Sequence, residues 1–254
     1  MTASTVALQT NCWHRDWRTA LTGNRLHDLV ERCRFPFAER TLLINRLPRY
    51  DKALALAEGF TRQGVLTGAL IVEDHADAAL ASLGVSRGEL GGGYGYSIAE
   101  MVGVATTSCD YVLYFMSDCL PETVSDWIPK ALDLLQSSPD IKVANLLWDG
   151  NAAEARAEAK RETDDFFIGY GFSDQCFLVR VSDFRAPIYG YAHPASQRYP
   201  VYALDSFERR VDSWMRTEGY LRATFKHASY RHANLPPTLS QRVVRRVRKV
   251  LGWP

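Results

Sequence analysis

The chain has 254 residues and a mass of 28.6 kDa, of which 46% are hydrophobic and 23% charged. That is ordinary globular composition; it excludes a disordered, collagen-like or low-complexity chain and supports a core without staples. Thirty basic residues against 29 acidic ones leave a net charge of +1, which excludes a nucleic-acid binder acting through the charge of the whole molecule.

Residues 5–10 (TVALQT) read as a first strand, 17–33 as a helix that contains Gly23, and 40–47 (RTLLINRL) as a second strand. Strong helix formers fill 50–63, and 65–73 (VLTGALIVE) reads as a third strand. Strands alternating with helices at these lengths predict a mostly parallel α/β sheet flanked by helices, built as a single domain. A glycine-rich break at 88–97 reads as a flexible loop, followed by Ile98, Met101, Val102 and Ala105 at helical spacing. The most strand-like segment, 110–116 (DYVLYFM), runs into Ser117-Asp118-Cys119. A helix from Pro121 to about 137 should kink at Pro129 unless its start lies later. Strands are expected at 141–148 and 174–181, a polar mobile excursion at 150–165, and a proline- and tyrosine-rich loop at 185–202. A helix over 206–218 and a last strand at 220–227 complete the body.

The five cysteines (12, 33, 109, 119, 176) form no CxxC pair and no Cys/His cluster, which fits a reducing compartment. The N-terminal residues do not read as a secretory signal and no apolar run is long enough to span a membrane, so a cytoplasmic protein is expected. Gly91, Gly92, Gly93 and Gly95 do not have dinucleotide-fingerprint spacing. The sharper feature is Asp118, where an apolar strand ends in an acid. Open α/β sheets bind ligands at that edge, and a carboxylate there can hold a divalent ion against a diphosphate. It can equally tether the turn into the next element.

The order TVALQTN (5–11), TLLIN (41–45), ALIVED (69–74) and YSIAEMVGVATTSCDYVLYFMSDC (96–119) resembles the GT-A nucleotide-sugar glycosyltransferases, close to their family-2-like group. The resemblance implies a GT-A-like, Rossmann-like fold. It implies a donor-binding half at 1–125 and an acceptor-binding half at 126–237 of the same domain, with a basic tail at 238–254. It implies transfer of a sugar from a nucleotide-diphosphate donor to a glycan or lipid-linked saccharide. Thr10, Asn11, Asn45, Asp74, Ser97 and Asp118 would line the donor, each of the strand-end residues alternatively capping a turn. The family's D-x-D is reduced here to Asp118 alone. Asp118 with His232 would hold Mn2+ or Mg2+, and a metal-free enzyme would use cationic or backbone donors instead.

In the second half the family's base lies at a helix start, where this chain has Asp205, Glu208 and Arg210. Asp205-x-x-Glu208 is also a capping-box pattern, and Asp174 is a further candidate base. Tyr189, Tyr191, His193 and Tyr199 suit an acceptor loop or simple packing, and His227 competes with His232. The tail holds five basic residues and no acid, with Val243, Val244, Val247, Val250 and Leu251 on one helical face. That pattern suits either an anionic membrane surface, at the inner face of the membrane, or packing on the body. The alternatives to a transferase are a sugar nucleotidyltransferase, disfavoured by the absence of glycine in TNCWHRDWR, and a transferase-like binding protein without turnover.

Overall fold

The computed structural model describes residues 4–198 and 205–232. Its first half alternates strand and helix: β1 (Val6–Trp13), α1 (Trp17–Leu21), α2 (Arg25–Cys33), β2 (Glu39–Asn45), α3 (Tyr50–Arg62), β3 (Gly68–Ile71) and α4 (Val72–Leu83). A short helix α5 (Arg87–Leu90) and a 3-10 turn over Gly91–Tyr96 lead into α6 (Ile98–Thr106) and β4 (Tyr111–Phe115). Then follow β5 (Cys119–Pro121), α7 (Trp127–Ser137), β6 (Ile141–Trp148), α8 (Ala152–Glu158), β7 (Ala159–Glu162), β8 (Phe166–Gly169), β9 (Cys176–Arg180), α9 (Val181–Arg185), α10 (Phe207–Glu218) and β10 (Leu221–His232).

All ten strands of the described residues join one sheet, in the order β3-β2-β1-β4-β9-β6-β10-β8-β7, with β5 paired to β10. The pairs β3-β2, β2-β1, β1-β4 and β6-β10 are parallel; β9 is antiparallel to both neighbours, and β8 and β7 form an antiparallel margin. The central sheet is therefore mostly parallel, with β9 reversed between β4 and β6, and its middle strands are apolar on both faces, as helices on both sides require. In β4, Val112 and Tyr114 face a core closed by α4, α6, α9 and α10. Tyr111, Leu113 and Phe115 face the opposite core under α2 and α7. A third cluster packs α1 and α3 against the β1–β2 edge.

Several sequence expectations are corrected. The helix over 17–33 is two helices, broken at 22–24. The third strand has only four residues, because Val72 already begins α4 and carries Asp74 into that helix. The glycine-rich break is ordered: Ser86 and Glu89 form a reciprocal capping box, and the 3-10 turn follows directly. In α7, Pro129 is the third residue, where its missing N–H would have no intrahelical acceptor, so no kink forms. The polar stretch 150–165 is not an excursion but α8 and β7, the latter pairing with the unexpected β8. The last strand is longer than expected. A shift of register against β6 between Phe225 and Ser229 lets its first half pair with β8 and its end with β5. No helix among the described residues is long and apolar enough to cross a membrane.

Candidate active site

The turn after β4 is fixed through Ser117. Its N–H donates to Asn11 Oδ1 at 3.0 Å, its hydroxyl donates to the Asp16 carboxylate, and its carbonyl accepts from Arg25 Nε. Asp118 follows, half-buried, at the C-terminal edge of the parallel strands. Antiparallel pairing of β5 with β10 sets Cys119 opposite His232. The result is a contact of 3.1 Å between His232 Nε2 and Asp118 Oδ2. The His232 N–H also donates to Asp149 Oδ1. The hydrogen bond to Asp118 raises the His232 pKa above its ordinary value, against the opposing effect of burial.

Asp118, Cys119 and His232 offer a carboxylate oxygen, a thiol sulfur and an imidazole nitrogen within 4.8 Å of one another. Burial pushes the Cys119 thiol far up, which keeps it protonated and disposed as a weak donor toward Asp118 Oδ1 at 3.7 Å. The oxygen and nitrogen that remain fit a hard divalent ion that takes its other ligands from phosphate and water.

Beside this pair a cleft of about 750 Å3 opens over the second half of the sheet. His232, Asp174 and Glu208 line it, together with Trp148, Asn145 and Thr224. Asp174 lies in the loop before β9, and burial raises its pKa to about 6, with the charge of Asp118 adding to the shift. Glu208 is the second residue of α10. The Phe207 ring beside it is buried among Phe172, Phe177, Phe184 and Tyr189, with ring centroids 5.6 to 6.3 Å apart. Ser97 Oγ accepts the Phe207 N–H at 2.8 Å. Arg210 donates to the carbonyls of Asp205, Tyr189 and Glu89. These contacts hold the start of α10, and Glu208 with it, against the rest of the molecule.

Solved structures of similar fold include GalNAc-T7 with UDP, GalNAc and Mn2+, at a TM-score of 0.56 and 13% identity over 98% of this chain and 48% of that one. The fold is GT-A-like. This chain thus spans about half the length of GalNAc-T7. A mycobacterial protein is similar at a TM-score of 0.51 and 11% identity, over 99% of this chain and 76% of that one. Glucosyl-3-phosphoglycerate synthase from Mycobacterium tuberculosis, solved with Mg2+ and UDP, has a TM-score of 0.49 and 15% identity, over 99% and 81%. No protein-family model and no curated protein sequence matches the chain.

The GT-A-like fold brings four of the expected residues together: Asp118 and His232 as a pair, with His232, Asp174 and Glu208 on the cleft. Asn45 closes β2, is 3% exposed, and its Oδ1 has no hydrogen-bond partner among the described residues. Thr10 and Asn11 do not end their strand, which continues to Trp13. Thr10 is buried, and Asn11 Oδ1 is committed to Ser117. Ser97 is fully buried between Gly93 and Phe207. Asp74 is exposed on α4, and its neighbour Glu73 accepts instead from the Arg46 N–H and the Tyr50 hydroxyl. Asp205 is exposed and paired with Arg209 at 3.2 Å; the N-cap of α10 is Ser206, and no capping box forms there. Tyr189 is a core residue, Tyr191 bonds Glu218, and His227 sits against Asp164 and Asp165. Tyr199 and the tail 238–254 lie outside the described residues.

Sequence reasoning missed Asp16, whose carboxylate accepts from Ser117 and from the Trp13 N–H; burial raises its pKa to about 6. It also missed Arg46, whose backbone adopts φ 52° and whose guanidinium crosses Gly95 so closely that a Cβ there would lie 2.0 Å from Nη1. The only available signals were an acid shortly after the first strand and a glycine in a run already discounted for its spacing.

Proposed function

We propose that the chain is a glycosyltransferase that moves a sugar from a nucleoside-diphosphate donor to a hydroxyl of an acceptor held in the cleft. The observation that carries this reading is the Asp118–His232 pair at the C-terminal edge of β4, adjoining a cleft lined by Asp174 and Glu208. Ligands of open α/β sheets bind at that edge. Asp118 and His232 would hold a divalent cation, Mn2+ or Mg2+, which would supply positive charge against the departing diphosphate. GalNAc-T7, similar in fold, was solved with UDP and Mn2+. Asn45 contributes its carbonyl oxygen to the nucleoside. Glu208 takes the proton from the attacking hydroxyl as the bond to the anomeric carbon forms. It is preferred over Asp205 because it lines the cleft while Asp205 is turned to Arg209. Asp174 orients the groups around the pair. The tail 238–254 rests on an anionic membrane surface, as a glycolipid acceptor would use.

The test is thermal unfolding against a panel of nucleoside diphosphates and nucleotide sugars, with and without Mn2+. A ligand that binds only the folded state adds about 2.7 kcal/mol at a hundredfold excess over its Kd. A midpoint raised by one nucleotide supports the reading and names the base. A midpoint that none of them moves removes the donor site. Loss of liposome binding on deleting 238–254 tests the tail in the same way.

A further inference from the structure

Three large apolar side chains are exposed among the described residues, Tyr96, Val124 and Trp148, and two of them line the same cleft. Trp148 ends β6 with 46% of its surface open. An indole left in water on the lining of this cleft offers a flat apolar face beside hydrogen-bonding groups. The floor beneath is uncharged and polar. Asn145 and Thr224 are buried, and Thr224 Oγ1 donates to Asn145 Oδ1 at 2.8 Å, fixing the amide in place.

Carboxylates outnumber cations around that floor. Glu154, Glu158, Asp174 and Glu208 line the cleft. Against them stand Arg222, held by Glu158 at 2.9 Å, and His232, held by Asp118 at 3.1 Å. Each cation among the described lining residues is already matched to a carboxylate. An acceptor phosphate placed on this floor, apart from the Asp118–His232 pair, would meet like charges at close range in a partly dry site, which costs far more than it would in open water.

We infer that the cleft seats an uncharged saccharide, with a pyranose face stacked on Trp148 and its hydroxyls on the Asn145–Thr224 floor, and that it rejects phosphorylated acceptors. The inference takes from the proposed glycosyl transfer only the role of the bound sugar; the binding stands on the cleft itself. A pyranose has an apolar C–H face and an equatorial rim of neutral donors and acceptors, which matches this wall and floor. The shared chemistry covers a free glycan and the sugar end of a glycolipid.

The experiment is saturation-transfer NMR on the full chain with methyl β-glucoside, octyl β-glucoside below its micelle concentration, N,N'-diacetylchitobiose and glucose 6-phosphate. UDP with Mn2+ is titrated separately by thermal shift. At least one neutral sugar should show saturation of its ring C–H protons, and glucose 6-phosphate none. Trp148→Ala removes an exposed side chain and should keep the wild-type unfolding midpoint while raising the Kd for that sugar at least tenfold. The UDP response should be unchanged. Tighter binding of octyl than of methyl glucoside supports the inference with a lipid-linked source, and equal binding supports it with a free glycan. Binding of glucose 6-phosphate as tight as that of the neutral sugars overturns it. So does saccharide binding that survives Trp148→Ala, or no binding by any neutral sugar. Saccharide binding without a UDP response would instead sink the transferase reading, and a UDP response without saccharide binding would sink only this inference.

Discussion

His232 Nε2 lies 3.1 Å from Asp118 Oδ2 although 114 residues separate the two in sequence. The contact exists because β10 runs past its bulge to pair with the three-residue strand that follows Asp118. A nitrogen and an oxygen are thereby fixed at one point of the sheet edge. Asp118→Asn keeps the side-chain volume and one acceptor but removes the charge. Transfer should fall by about 10²–10³-fold, the scale of losing one preorganised electrostatic contact. The unfolding midpoint should move little. Steady-state transfer kinetics beside a melting curve check both halves of the expectation.

Glu208 and Asp205 separate the chemical role from the local one. Glu208→Gln should lower kcat by at least about 10²-fold, the lower range for loss of a general base. Asp205→Asn should leave kcat within about twofold, since an exposed ion pair to Arg209 is worth only ~0–1 kcal/mol. Equal losses in the two variants would move the base elsewhere.

Asn11 and Asn45 make a second contrast. Asn11→Ala leaves the buried Ser117 N–H without its acceptor, which should cost about 1–3 kcal/mol of stability. Asn45→Ala removes a buried oxygen that has no partner among the described residues, so stability should hold or rise. Nucleotide affinity should drop roughly tenfold, or ~1.4 kcal/mol. Denaturant melts and nucleotide titrations on both variants read the difference.

Glu100 gives the fold a pH dependence of its own. It is buried on α6, accepts from the Tyr114 hydroxyl at 2.7 Å, and burial pushes its pKa up to about 8 from an ordinary 4.5. The native state therefore holds a proton that the unfolded chain has released. Stability falls as pH rises from the unfolded value toward about 8, by at most ~1.4 kcal/mol per pH unit. Glu100→Gln, which stays neutral, should flatten that slope. Chemical denaturation of the two proteins at pH 5, 6, 7 and 8 measures it; parallel slopes would mean that Glu100 is ionised in the folded protein.

Gly169 is required by close approach. A Cβ on it would lie 2.2 Å from the carbonyl oxygen of Glu158 and 2.9 Å from its carbon. Backbone cannot swing aside as a side-chain tip can. Gly169→Ala should destabilise by about 1–3 kcal/mol, the usual cost of overpacking. Because Glu158 lines the cleft, acceptor KM should rise as well.

The central strands and the order of βα units were legible because both faces of the sheet are covered, so strands such as Tyr111–Phe115 are apolar without alternation. Asp118 was legible because an acid closing such a run is abrupt. The helix Val72–Leu83 was hidden behind a short strand of similar composition, and β8 behind a polar stretch whose neighbour β7 has an exposed face. Asp205 and Glu208 could not be separated in sequence. The choice depends on Phe207, whose burial sets the start of α10 and thus which carboxylate meets the cleft. Asp16 matters through a hydrogen bond across 101 residues, a relation that local patterning does not encode.

The strand β9 lies between β4 and β6 and is antiparallel to each. Its residues come from the second half of the sequence, yet they cover the flank of β4, which belongs to the first. A fragment cut near residue 125 would leave Tyr111–Phe115 with a bare, fully apolar edge, a ready template for sheet-to-sheet aggregation. The first and second halves of the sequence are thus interleaved in one sheet, and recombining such halves between proteins would have to carry β9 with the first half to give a soluble product.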